Sequence, residues 1–237
     1  MATTHLNSLH LQFARAYGDE YVAGSTTLIT SATQDGNTWT SVVRSDLVVR
    51  SINQFIQMAA REILKSTKSL DDVFARLGAM FPQHMVETNV QFSTGGAAER
   101  TISAAAPSDL VWLISALFRI GTAGGNTFLP IIPSWHPMRF YQIRRNLGME
   151  SADQPYWKLR GKVAGGMQID VTMNETTTGI LNQVSASGGT GGDMIITYIR
   201  SQPSVVVNTD PDIWISDIWD SEIIKLMVYN ARDYKTG

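Results

Sequence analysis

The chain has 237 residues, 43% hydrophobic and 17% charged, with no cysteine and a formal net charge of −2. At this length folding buries roughly 70–75% of the unfolded surface, so a core needs no staple; the absence of thiols excludes disulfides, thiolate metal sites and a cysteine nucleophile, and suits a reducing cytoplasm. Charges of both signs are scattered, which leaves no basic stripe for a run of phosphates and argues against sequence-specific DNA binding.

Residues 1–21 contain no basic segment leading into an apolar run, so they do not read as a secretory signal. Residues 1–44 read as an N-terminal arm and loop, with Ser, Thr and Gly concentrated at 24–41 and a turn or weak hairpin at Asp35-Gly36-Asn37. The first strong helix is expected over about 46–66. Ser45 or Asp46 would cap it, and Leu47, Val48, Ile52, Phe55, Ile56, Ala59 and Ile63 recur on one face. A second helix is expected over 69–81, where acids follow a capping Ser69 and Pro82 stops the run.

From Val86 the pattern alternates, and a β insert is expected over about 86–200. Val86 to Phe92, Gly95-Gly96 and Thr101-Ile102-Ser103 read as a hairpin. Leu110 to Ile120 is a nearly continuous apolar run, compatible with a buried strand or a buried helix, and strand is favoured. At about half the length of a membrane span, and interrupted by Ser115 and Arg119, it implies no membrane role. Prolines around Trp135 and His136 predict a loop over 128–137, and Met138 to Leu147 a short helix ended by Gly148. A second hairpin is expected over 156–173, then a mobile surface loop over 174–192 containing Gly188 to Gly192, then a strand from Met194 to Ile199. An acidic, aromatic linker leads to a last helix near 217–234. The predicted fold class is α+β: a helical bundle with an inserted antiparallel sheet or hairpins and long surface loops.

Residues suited to catalysis do not group. His5, His10, His84 and His136 lack partners at metal-motif spacings, and His136 has no nucleophile or carboxylate near it in sequence. The glycine run lacks the Lys-Ser or Lys-Thr of a phosphate loop. Asp210, Asp212, Asp217, Asp220 and Glu222 lack the central glycine and closing glutamate of a calcium loop and read as a solvated linker with helix N-terminal acids. No catalytic, cofactor or metal residue is therefore assigned. The unusual feature is the cluster Trp214, Ile215, Ile218, Trp219, Ile223, Leu226 and Met227, which either fills the chain's own core or forms an assembly interface.

The order of these passages resembles the head-to-tail adaptor, or connector, proteins of tailed bacteriophages. Asp46 to Asn53 continuing to Ala59-Ala60-Arg61-Glu62-Ile63 is similar to that family's first helix, and Pro107-Ser108-Asp109-Leu110 to the step that opens its central β region. Pro155 to Gly161 with Met167-Gln168-Ile169 resembles its hairpin, preceding the strand Met194 to Tyr198, and Ile223 to Tyr234 its closing helix. The stretch after Thr172 departs from the family's Pro-x-Pro, and the first forty residues have no counterpart in it. The resemblance spans about 45–235, read as one adaptor-like domain over 45–237. It implies a non-enzymatic virion protein: a ring of twelve copies in the neck, made in the host cytoplasm, bound to the portal protein and to a tail or nozzle protein. Genomic DNA would pass through the ring without sequence-specific contact. Within this reading Trp214, Ile215, Ile218, Trp219, Ile223, Leu226 and Met227 are the candidate portal or subunit interface. The alternatives are another neck or tail part such as a tail terminator or tube, a carbohydrate-binding β module supported by the many Trp and Tyr, and a hydrolase assembled from distant residues.

Overall fold

The computed structural model describes residues 5–67, 69–91, 101–120, 127–130, 132–133, 156–161, 166–172, 193–205 and 213–236. It is an α+β protein that divides into two compact units: Met1–Met85 with Arg200–Gly237, and Val86–Ile199.

In the first unit, α1 (His5–Tyr17) buries Leu6, Leu9, His10, Phe13 and Ala14, a spacing of three and four that makes one apolar stripe. This helix lies where the sequence reads as an arm. Gly18 ends it at φ 78°, a left-handed position that favours glycine. The following loop is tied down by its own polar groups. The Asp19 carboxylate accepts from the Thr38 and Trp39 backbone N–H groups at 2.9 and 3.0 Å. Gly36 lies so close that a Cβ there would stand 2.1 Å from Asp19 Oδ2.

Helix α2 (Ser41–Ser66) starts ahead of the expected Ser45 or Asp46, because Thr40 is the cap, its hydroxyl accepting from Val43 N at 3.3 Å. Ser45 is instead buried inside the helix, its hydroxyl donating to the Ser41 carbonyl at 3.1 Å. Leu47, Val48, Ile52, Ile56, Ala60 and Ile63 form its buried stripe. Helix α3 (Leu70–Met80) is capped by Ser69, as its sequence indicates, and Val73, Leu77 and Phe81 are buried. A 3-10 turn (Asp217–Trp219) leads into α4 (Asp220–Thr236), which buries Ile223, Met227, Asn230 and Ala231. α2 packs against α1, α3 and α4.

The second unit holds β1 (Met85–Gln91), β2 (Thr101–Ala105), β3 (Leu110–Ile120), β4 (Thr127–Pro130), β5 (Ile132–Pro133), β6 (Tyr156–Gly161), β7 (Met167–Thr172) and β8 (Asp193–Arg200), the outer ends of β1 and β8 belonging to the first unit. They form two four-stranded sheets, in the orders β1-β8-β3-β4 and β2-β7-β6-β5. Leu110 to Ile120 is a strand, and Tyr156 to Thr172 is the expected hairpin, with Trp157 opposite Val171 and Leu159 opposite Ile169. The expected hairpin of 86–103 does not form. β1 and β2 belong to different sheets, β2 pairing antiparallel with β7 so that Ala104 faces Ile169. Part of the loop expected over 128–137 is strand, β4 and β5. β5 runs parallel to β6. Both sheets contribute to one core that includes Val90, Ala104, Leu113, Trp157, Ile169, Val171, Met194, Ile196 and Tyr198. On the other face of β7, Asp170 is buried, with Arg160 Nε at 2.7 Å and the Ser103 hydroxyl donating at 2.8 Å. The helix expected at 138–147, the loop at 174–192 and the Trp135–His136 passage lie outside the described residues.

Candidate interaction surface

Two segments of the helical unit meet to make an open groove: the end of α3 with Pro82 and Gln83, and the extended run from Ile213 into the 3-10 turn. The groove has a volume of about 490 Å³, and its walls are mainly apolar, with Ala79, Met80, Ile213, Trp214, Ile215 and Trp219 among them. Phe81 closes α3 and is buried, and Pro82 cannot continue the helix, so the chain turns out beside Trp214.

A connected set of rings supports the floor. Phe55 of α2 lies 6.0 Å from Phe81 and 5.3 Å from Trp219, and His84 lies 6.2 Å from Phe81 and 5.5 Å from Trp214. The Arg200 guanidinium covers the Trp214 ring at 3.8 Å, a cation–π contact that holds the indole in one orientation. That guanidinium is itself fixed, Nε and Nη2 donating to the Gln83 carbonyl at 3.2 and 3.0 Å. His84 Nδ1 donates to the Arg200 carbonyl at 3.0 Å, while Arg200 N donates to the His84 carbonyl at 2.9 Å. Burial holds the His84 imidazole below its ordinary pKa, and the charge of Arg200 adds to the effect, so the ring is neutral at pH 7. From the other side, Trp214 N donates to the Gln202 side chain at 3.0 Å, and Gln202 N donates to the Asn53 side chain at 2.8 Å. The groove wall is therefore braced on α2, on the α3 exit and on the end of β8.

The seven aromatic and aliphatic residues of the sequence cluster divide. Ile223 and Met227 are buried in the unit's own core, where they fix α4, and Ile215 is buried at the base of the groove. Trp214 and Trp219 are half-buried and line the groove, Leu226 is half-buried, and Ile218 stands 74% exposed on the rim. Met80 and Gln83 complete the lining, while Arg200, the buried His84 and Phe55 brace it from behind, and no pattern in the sequence brings them together. They reach it from segments up to 164 positions from Trp219, the residue against which Phe55 packs.

Two acids of the linker and helix start, Asp220 and Glu222, are engaged in pairs. Asp220 accepts from His5 Nε2 at 2.6 Å and from Gln12 at 3.4 Å, and Glu222 pairs with Lys225 at 3.0 Å. Asp210 and Asp212 lie outside the described residues, as does His136. Among the described residues no three His, Asp or Glu side chains converge as metal ligands would, and no helix is long and apolar enough to cross a membrane. His10 is buried against α2, its Nε2 3.4 Å from the Ser45 hydroxyl.

No protein-family model and no curated protein matches this chain. The groove offers two tryptophan side chains and an exposed isoleucine, with Gln83 and Ser216 as its polar lining residues, on a wall that the Arg200–Gln83–His84 bonds brace.

Proposed function

We propose that the chain is a structural virion subunit, the head-to-tail adaptor of a tailed bacteriophage, not an enzyme. It would act as a ring of twelve copies in the neck, between the portal and a tail or nozzle protein, completing the channel through which DNA leaves the head. The order of the sequence passages supports this reading, and so does the architecture: a helical unit whose chain is interrupted by a β unit at Val86–Ile199 and resumes for a closing helix. The observation that carries it is the braced aromatic groove with Ile218 on its rim, since ordered aromatics with an exposed aliphatic residue serve protein contact better than chemistry. A net charge of −2 with mixed signs suits a wall that DNA passes without being gripped.

A carbohydrate-binding reading would use the same tryptophans. Sugar hydroxyls demand several oriented donors and acceptors, and Gln83 and Ser216 are the polar side chains that the mainly apolar groove lining supplies besides the tryptophans. A tail terminator or tube would share the structural role, and ring symmetry separates them: six copies for a tail part, twelve for the adaptor. Single-particle imaging of the chain with its portal tests the assignment, twelvefold density on the portal being expected. Ile218→Glu and Trp219→Ala should each weaken ring formation or portal binding at least tenfold. If both variants assemble and bind like the parent chain, the groove has no part in assembly.

A further inference from the structure

The described histidines meet opposite surroundings. His5 lies beside a carboxylate, that of Asp220, at 2.6 Å. His10 and His84 are fully buried, and the charge acting on each is an arginine's, Arg44 on His10 and Arg200 on His84. Burial beside a cation favours the neutral imidazole. His10 belongs to the seam of α1 and α2, whereas His84 is bonded directly to the wall of the groove, so a proton taken up by His84 acts on that wall.

His84 Nδ1 spends its hydrogen on the Arg200 carbonyl at 3.0 Å, which leaves the lone pair of the neutral ring on Nε2. Nε2 is buried and has no hydrogen-bond partner among the described residues. Phe81, from the end of α3, and Trp214, from the extended run, close on the ring at 6.2 and 5.5 Å. The Arg200 guanidinium, from the end of β8, rests on the same indole at 3.8 Å and donates to the carbonyl of Gln83, the residue before His84. Arg200 is the charged group that acts on the ring; Asp71, Asp72 and Arg76 on α3, Glu87 on β1 and Asp217 on the 3-10 turn are exposed. A second proton on His84 would set two cations against Trp214 and give Nε2 a buried hydrogen with nothing to accept it. Either the imidazole or the guanidinium must then move, and both movements undo the stack on Trp214.

We propose that His84 is a proton latch on the groove: the neutral ring holds the Arg200–Trp214 wall in place, and protonation releases Trp214. The latch belongs to the single chain, and its consequence for assembly rests on the role given to the groove above. Burial lowers the folded ring's pKa from the ordinary 6.5, so the wall is complete above pH 6.5 and is lost as the pH falls through the folded value.

Fluorotryptophan in place of the six tryptophans gives each a fluorine NMR signal, assigned with single Trp→Phe variants, and a His10→Gln background removes the other buried imidazole. Lowering the pH from 7.5 to 5 should shift the Trp214 signal along a one-proton curve with its midpoint below 6.5, while Trp39, packed on Phe13 of α1, keeps its position. His84→Asn retains a donor for the Arg200 carbonyl and takes up no proton in this range, so it should hold Trp214 fixed. Arg200→Met removes the stacked cation and should put the Trp214 signal at its released position already at pH 7.5. A Trp214 signal constant down to pH 5, a shift that survives His84→Asn, or six signals that move together overturns the latch. Ring or portal association is the second readout: coupled through one proton, it should weaken by up to about tenfold between pH 6.5 and 5.5 and stay level in His84→Asn. A Trp214 signal that shifts while association holds upholds the latch and removes the groove from assembly.

Discussion

His10 is fully buried between α1 and α2, and burial, reinforced by Arg44, holds its pKa at about 4 against an ordinary 6.5. The unfolded chain therefore binds a proton that the folded chain refuses in the window between those values. Stability is complete above pH 6.5 and is lost as the pH falls towards 4, by about 2 kcal/mol at pH 5. Urea unfolding at pH 7 and pH 5 should show this gap, and His10→Gln should shrink it. His84, lowered in the same direction by burial, accounts for a remainder. A gap that His10→Gln leaves unchanged would place the acid sensitivity elsewhere. Gly36 gives a second test at this scale. Gly36→Ala forces the Asp19 carboxylate off the Thr38 and Trp39 N–H groups, with an expected loss of about 2–3 kcal/mol. Gly161→Ala, where nothing lies within 4 Å of a new Cβ, should stay within about 0.5 kcal/mol.

At the scale of elements, α2 is the part on which the other helices depend. Ile56 lies in the middle of its buried stripe at 0% exposure, so Ile56→Ala should cost about 2–4 kcal/mol in thermal or urea unfolding. An equal loss from Arg50→Ala, on the exposed face, would contradict the assigned face. The stripes of α2, α3 and α4 are legible in the sequence because their periodicity is local. So is the β6–β7 hairpin, whose strands are close neighbours in the chain. α1 was equally periodic in Leu6, Leu9 and Phe13, but its first turn contains no acidic residue, and the polar His10 falls on its buried face. The pairing of β2 is not legible. Thr101 is opposite Thr172, and a glycine pair after β1 looks like a hairpin turn whichever strand comes to lie beside it. The groove follows the same rule: Trp214, Ile218 and Trp219 stand out by composition, whereas Arg200 and His84 become part of the site only through contacts made by folding. Buried and exposed residues of the 3-10 turn and α4 share one apolar pattern, so the sequence does not separate Ile223 and Met227 from Ile218.

At the scale of the molecule, the proposed role belongs to an assembly. The brace of Arg200 on Trp214 and Gln83 stiffens the groove wall where an assembly contact would form. The β unit has a core of its own. The central claim is that the chain is a ring-forming adaptor, and native mass spectrometry of the chain with its portal tests it most directly. A complex of twelve copies seated on the portal is the predicted result, and a chain that stays monomeric and ignores the portal would contradict it.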